Sequence, residues 1–89
     1  MVEKQFLINN KVGLHARPAS MFVQKASQFK CAIRISLGPH EVNSKSILGI
    51  LSLGASQGTT ITICAEGVDA IEAISELSAL FDSNFGEAE

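Results

Sequence analysis

Tryptophan and tyrosine are absent from these 89 residues and phenylalanine occurs only five times. Stacking on exposed bases therefore has little to work with, and no nucleic-acid partner is expected. No apolar run approaches the roughly 18 residues of a membrane span. The opening Met1-Val2-Glu3-Lys4-Gln5 lacks the basic-then-apolar profile of a secretory leader, so a cytoplasmic protein without membrane insertion is the expectation. The two cysteines, Cys31 and Cys64, stand 33 positions apart with no CxxC neighbour, each in an apolar stretch. They read as two small buried hydrophobes rather than a redox or metal pair. Nothing repeats and no stretch is low in complexity, so one domain, 1–89, is expected, with no linker to place. A chain of this size buries roughly 60 to 65% of its extended surface, enough for a two-layer core but not for a deep enclosed active site. Its chemistry belongs near the surface.

Basic residues are missing beyond position 45. All seven (Lys4, Lys11, Arg17, Lys25, Lys30, Arg34, Lys45) precede it, opposed only by Glu3 and Glu41, which leaves that part at +5. The rest carries seven carboxylates and no Lys or Arg, a charge of −7. Such asymmetry places a basic face opposite an acidic one, with phosphate or an acidic protein as the attracted partner, unless folding mixes the halves.

What the chain does have is clear periodicity. Val2, Phe6 and Ile8 share one side of a strand whose pattern is spoiled only by Lys4, and Asn9 to Gly13 breaks it. Ala19, Phe22, Val23 and Ala26 then recur at helical spacing, with Arg17, Ser20 and Gln24 opposite. Pro18 fits the first turn of that helix, where its missing N–H costs no intrahelical bond, so the helix starts near His15 and Ala16. Ala32 to Leu37 and His40 to Asn43 read as strands around the Gly38-Pro39 turn. Ser46 is placed to cap a short helix over Ile47 to Leu53, whose apolar residues spread over roughly 220°, wider than a core-facing stripe. Part of it should stay exposed. Thr60 to Ala65 alternates once more, and Asp69 with Glu72 has capping-box spacing before a third helix. Gly86 and an acidic tail end that helix. The order β-α-β-β-α-β-α suits an α+β open-faced sandwich, an antiparallel sheet with one face covered by helices.

One constellation stands above background: Gly13-Leu14-His15-Ala16-Arg17-Pro18-Ala19, at a strand-to-helix junction. Free N–H groups and the positive end of the helix dipole favour an anion there, the backbone of Ala16 included, and Arg17 adds a fixed cation. A ring nitrogen of His15 beside that anion site is placed to act as nucleophile. No Ser-His-Asp set, H-E-x-x-H or phosphate-binding G-x-x-x-x-G-K-[ST] occurs, so no metal or cofactor is called for. His40 reads as a solvated turn residue. On the residues alone, an inert loop histidine remains the readier account of His15.

The G-L-H-A-R-P-A segment, followed by Asn43-Ser44-Lys45-Ser46-Ile47-Leu48-Gly49-Ile50-Leu51, the Gly54 to Gly58 loop and Ala65-Glu66-Gly67, resembles HPr, the histidine-containing phosphocarrier family of the bacterial sugar phosphotransferase system. The resemblance covers essentially the whole chain. It implies a four-stranded antiparallel sheet of order 1-4-2-3 with three helices on one face. It also implies a monomeric carrier that is not itself an enzyme, with His15 taking phosphate on Nδ1 from phospho-enzyme I and passing it to the EIIA domains of sugar permeases. Arg17 would steady the phosphoryl group, and Ser20, Gln24, Ile47, Leu48 and Leu51 would form the docking surface. Plain core packing is the competing account of Ile47 and Leu51. Ser46 matches the serine phosphorylated by HPr kinase/phosphorylase, which the resemblance links to a catabolite-control transcription regulator; simple helix capping is compatible with that role. The catabolite-repression paralogue carries Gln at the position of His15, whereas the nitrogen-related branch shares the histidine motif. A regulatory phosphoprotein acting by phosphorylation-dependent binding is therefore the alternative, and a ferredoxin-like ligand-sensing domain is a remote third.

Overall fold

The computed structural model describes residues 1–86; the acidic tail, Glu87 to Glu89, lies outside them. Along the chain run β1 (Val2–Leu7), α1 (Ala16–Ala26), β2 (Ala32–Leu37), β3 (His40–Asn43), α2 (Ile47–Ser52), β4 (Thr60–Glu66) and α3 (Ala70–Asp82), then a 3-10 turn at Asn84–Gly86. The strands form one antiparallel sheet in the order β1-β4-β2-β3, as the resemblance implies.

Strand alternation decides which side chains go under the helices. Phe6 stands opposite Ile61, and Ile63 opposite Ile35, while Val2, Ala65 and Ile33 make one inward row that runs across β1, β4 and β2. Ala19, Phe22 and Ala26 of α1, Ile50 of α2, and Ala73, Leu77 and Phe81 of α3 close over these rows. Each fully buried Ile or Phe contributes about 1.5–3 kcal/mol, which makes this layer the main source of stability. Phe81 ties the end of α3 into it, stacking on Phe6 at 4.5 Å and meeting Phe22 and Phe85 edge-on. Lys4, which interrupts the inward pattern of β1, is accommodated at the rim. Its ammonium lies 5.2 Å from the Phe6 ring centroid and donates to Ser78 Oγ at 3.3 Å.

Three local expectations change. Cys31 is buried, but Cys64 is only half-buried, because the alternation that sends Ile63 and Ala65 inward turns it to the open face. Asp69 occupies the N-cap of α3 without capping it; its carboxylate accepts the backbone N–H groups of Lys30 and Cys31 instead. The chain also does not simply trail off after α3. The 3-10 turn returns Phe85 to full burial, a step that a single Phe in a polar context does not announce.

Candidate functional site

The segment carrying the histidine is held by backbone bonds from the β4 side. Beyond β1, the Ile8 N–H donates to the Thr59 carbonyl and the Ile8 carbonyl accepts from Gly58 N–H, both at 2.8 Å. Gly13 N–H then closes a turn onto the Asn10 carbonyl at 3.0 Å, and Leu14 N–H donates to the Ala55 carbonyl at 2.9 Å. Only glycine fits at position 13: φ is +75°, and a Cβ would sit 2.3 Å from the Ala55 oxygen. Leu14 is buried, so its side chain anchors the turn from which His15 emerges.

His15 is the N-cap of α1, extended at φ −81° and ψ −172°. Its carbonyl accepts from Ala19 N–H at 3.0 Å, the first intrahelical bond. Pro18 has no N–H, so Ala16 and Arg17 supply the helical N–H groups that no preceding turn can accept. They sit at the positive end of an 11-residue helix whose first turn holds no acidic residue. This placement of His15, Ala16 and Arg17 follows the sequence reading. Arg17, Ser20 and Gln24 lie within roughly 60° on the α1 surface, opposite the buried Ala19, Phe22 and Ala26.

α2 packs against both α1 and β3. Ser46 is its N-cap, with Oγ accepting from Gly49 N–H at 3.2 Å. Its excess of apolar residues resolves into two sets. Ile50 is fully buried, whereas Leu48 is 77% exposed and Ile47 and Leu51 are each 37% exposed. Core packing accounts for Ile50 but not for Leu48, and only in part for Ile47 and Leu51.

Lys45 leaves the basic patch that its sequence position suggests. Its ammonium donates to the carbonyls of Phe29 at 2.7 Å and Cys31 at 2.9 Å, fastening the α1–β2 connection. Charge segregation is likewise incomplete, since Lys25 pairs with Glu76 of the acidic half at 3.2 Å. Two buried polar residues escaped sequence reading altogether. Asn10 donates from Nδ2 to the Asn84 carbonyl at 3.1 Å, and Ser44 Oγ is buried with no partner among the described residues. A cavity of about 420 Å³ near the start of β2 and the end of β3, lined by Lys30, Arg34, Glu41 and Lys45, includes none of the expected site residues.

Comparison with known proteins adds a consistent set of similarities. Residues 2–83 match the model of the family described as PTS HPr component phosphorylation site. The phosphocarrier protein HPr of Neisseria meningitidis serogroup A is 42% identical over 89 residues, covering 100% of both chains. The HPr-like protein Crh of Halalkalibacterium halodurans is 46% identical over 82 residues, 92% of this chain and 98% of that one. A crystal structure of HPr-C-His from Thermoanaerobacter tengcongensis superimposes with a TM-score of 0.96 at 50% identity, covering 100% of each chain.

Proposed function

The chain belongs to the HPr family of phosphotransferase-system phosphocarriers, and from that premise we propose that His15 is the residue that carries the phosphoryl group. The placement of His15 at the N-cap of α1, directly before Ala16 and Arg17 in its first turn, carries this reading. The lone pair of Nδ1 attacks phosphorus on phospho-enzyme I, a new N–P bond forms, and the donor's bond to phosphorus breaks with its electron pair returning to the donor. Onward transfer to an EIIA domain repeats the exchange with His15 as the leaving group. Arg17 and the first-turn N–H groups offset the charge on the phosphoryl oxygens in both directions. The protein is consumed and regenerated as a cosubstrate and does not turn over alone.

Ser20 and Gln24 on α1, with Ile47, Leu48 and Leu51 on α2, form the docking surface in this reading, supported by the exposure of Gln24, Ile47, Leu48 and Leu51, by the half-buried position of Ser20, and by the packing of the two helices. Ser46 serves as a second phosphorylation site, for HPr kinase/phosphorylase, at the helix it already caps. The setting is the cytoplasm, and residues 1–89 work as one domain. The regulatory alternative, binding controlled by Ser46 with His15 secondary, draws on the similarity to an HPr-like Crh protein.

Incubating the protein with enzyme I and phosphoenolpyruvate, beside His15→Ala, separates the two. Acid-labile phosphate on the parent and none on His15→Ala is the expected result. No uptake by the parent, with enzyme I proven active on another acceptor, would transfer the assignment to the regulatory reading.

A further inference from the structure

The turn that presents His15 has a second anchor besides the Gly54–Thr59 loop, supplied by the segment after α3. Asn10 is a neutral polar residue buried to 1% exposure, and a buried amide must be bonded to be tolerated. Its side chain donates to the Asn84 carbonyl at 3.1 Å, while its own carbonyl accepts from Gly13 N–H at 3.0 Å. One residue thus joins the C-terminal segment to the turn that ends at Leu14 and His15.

The acceptor is held in an uncommon backbone conformation. Asn84 and Phe85 have φ of 57° and 55°, the left-handed region, which costs a non-glycine residue about 1–2 kcal/mol. Such a conformation persists only where its surroundings impose it. Here Phe85 is fully buried, 5.0 Å from the Phe81 ring, and Gly86 N–H closes the turn onto Ser83. Core burial of Phe85 offsets the strain and fixes the direction of the Asn84 carbonyl.

We infer that Asn10, through its bond to Asn84, is a positioning residue that aims the His15 turn for phosphoryl transfer, with Phe85 as the plug that keeps the anchor in place; this rests on the carrier reading above. The turn is held independently by Leu14 on Ala55 and by Gln57 Nε2 on the Asn9 carbonyl at 3.2 Å. Releasing the Asn84 side leaves that attachment and both helices intact while freeing the turn to tilt. Transfer between two positioned groups is sensitive to such tilting, since a misplacement of about 1 Å costs up to ~10²-fold.

The test uses the full chain as acceptor of phospho-enzyme I, with kcat and KM measured for the parent, Asn10→Ala, Asn84→Pro and Asn84→Gly. Asn84→Pro fixes φ near about −65° and breaks the anchor without altering the turn before His15. Asn84→Gly accepts the positive φ and retains the carbonyl. Each variant is assayed at a temperature where its amide spectrum shows it folded. Asn10→Ala and Asn84→Pro are expected to lose about tenfold in kcat at parental KM, and Asn84→Gly to match the parent. Parental kcat in a folded Asn10→Ala or Asn84→Pro, or a loss confined to KM, overturns the inference. Failure of both anchor-breaking variants to fold at any assay temperature also overturns it, because the link would then be structural. A parent that accepts no phosphate defeats the carrier reading itself, a result distinct from variants that match an active parent.

Discussion

The carboxylate of Asp69 receives the backbone N–H groups of both Lys30 and Cys31, at 2.8 and 2.9 Å, and so fastens the start of α3 to the start of β2. The bond from Lys30 is the leading cause that holds its carboxyl below the ordinary 3.8, with the Cys31 side chain and N–H acting in the same direction and desolvation opposing them. A carboxyl lowered in the folded state gives stability that is complete above the unfolded value and is lost as pH falls through the folded one. Asp69→Asn is therefore expected to melt below the parent at neutral pH. The difference should shrink below about pH 4. Thermal melts of the two proteins across this range check it, and a gap that widened in acid would contradict the assignment.

Gly13 and Gly38 both have positive φ, but only Gly13 abuts a neighbouring backbone. Gly13→Ala is expected to lose about 2–4 kcal/mol, strain and overpacking together, and to accept phosphate more slowly because Leu14 can no longer reach Ala55. Gly38→Ala, with open space around it, should lose only about 1–2 kcal/mol and keep parental transfer. Urea unfolding and phosphate uptake on both variants test the ranking. Similar behaviour in the two assays would remove Gly13 from the architecture of the site.

Leu48 and Ile50 lie two positions apart on α2 yet differ from 77% exposure to none. Leu48→Ala should stay within about 0.5 kcal/mol of parental stability while raising the KM for enzyme I. Ile50→Ala should cost about 2–5 kcal/mol. An unchanged KM for Leu48→Ala would detach α2 from the docking surface.

Ser46 accepts a hydrogen bond from Gly49 that aspartate can also accept. Ser46→Ala is expected to lose about 0.5–2 kcal/mol, whereas Ser46→Asp should remain near the parent. Ser46→Asp should nonetheless take phosphate from enzyme I more slowly, since it places negative charge beside the proposed docking surface, where it would repel an acidic partner. Uptake as fast as the parent's would show that charge at this cap does not govern docking.

Periodic elements were legible in the sequence because one rule decides them. The alternation of Ile33 and Ile35, the stripe of Ala19, Phe22 and Ala26, and Pro18 in the first turn each follow from local geometry, and the structure keeps them. The His15 junction was legible for the same reason, a proline and a glycine bracketing a helix start. Asp69 misled because capping-box spacing describes one helix, and the carboxylate found two better donors in the connection that leads into β2. Lys45 looked like free charge until two distant carbonyls claimed it. Asn10 and Phe85 gave no signal at all, since their roles arise from the approach of segments 74 residues apart, which no window along the chain contains.

β1 has its ladder partner in β4, with Val2 opposite Ala65 and Leu7 opposite Thr60. During synthesis β1 therefore waits until the chain has passed Thr60–Glu66 before its backbone is paired. The Gly13 to Ala19 motif emerges early, but Ala55, Thr59 and Asn84, which shape the turn before His15, follow much later. A nascent fragment ending at Gly54 would contain every residue of the motif and none of these three restraints. Such long-range closure slows folding, and competence at His15 should appear only in the final stage of assembly.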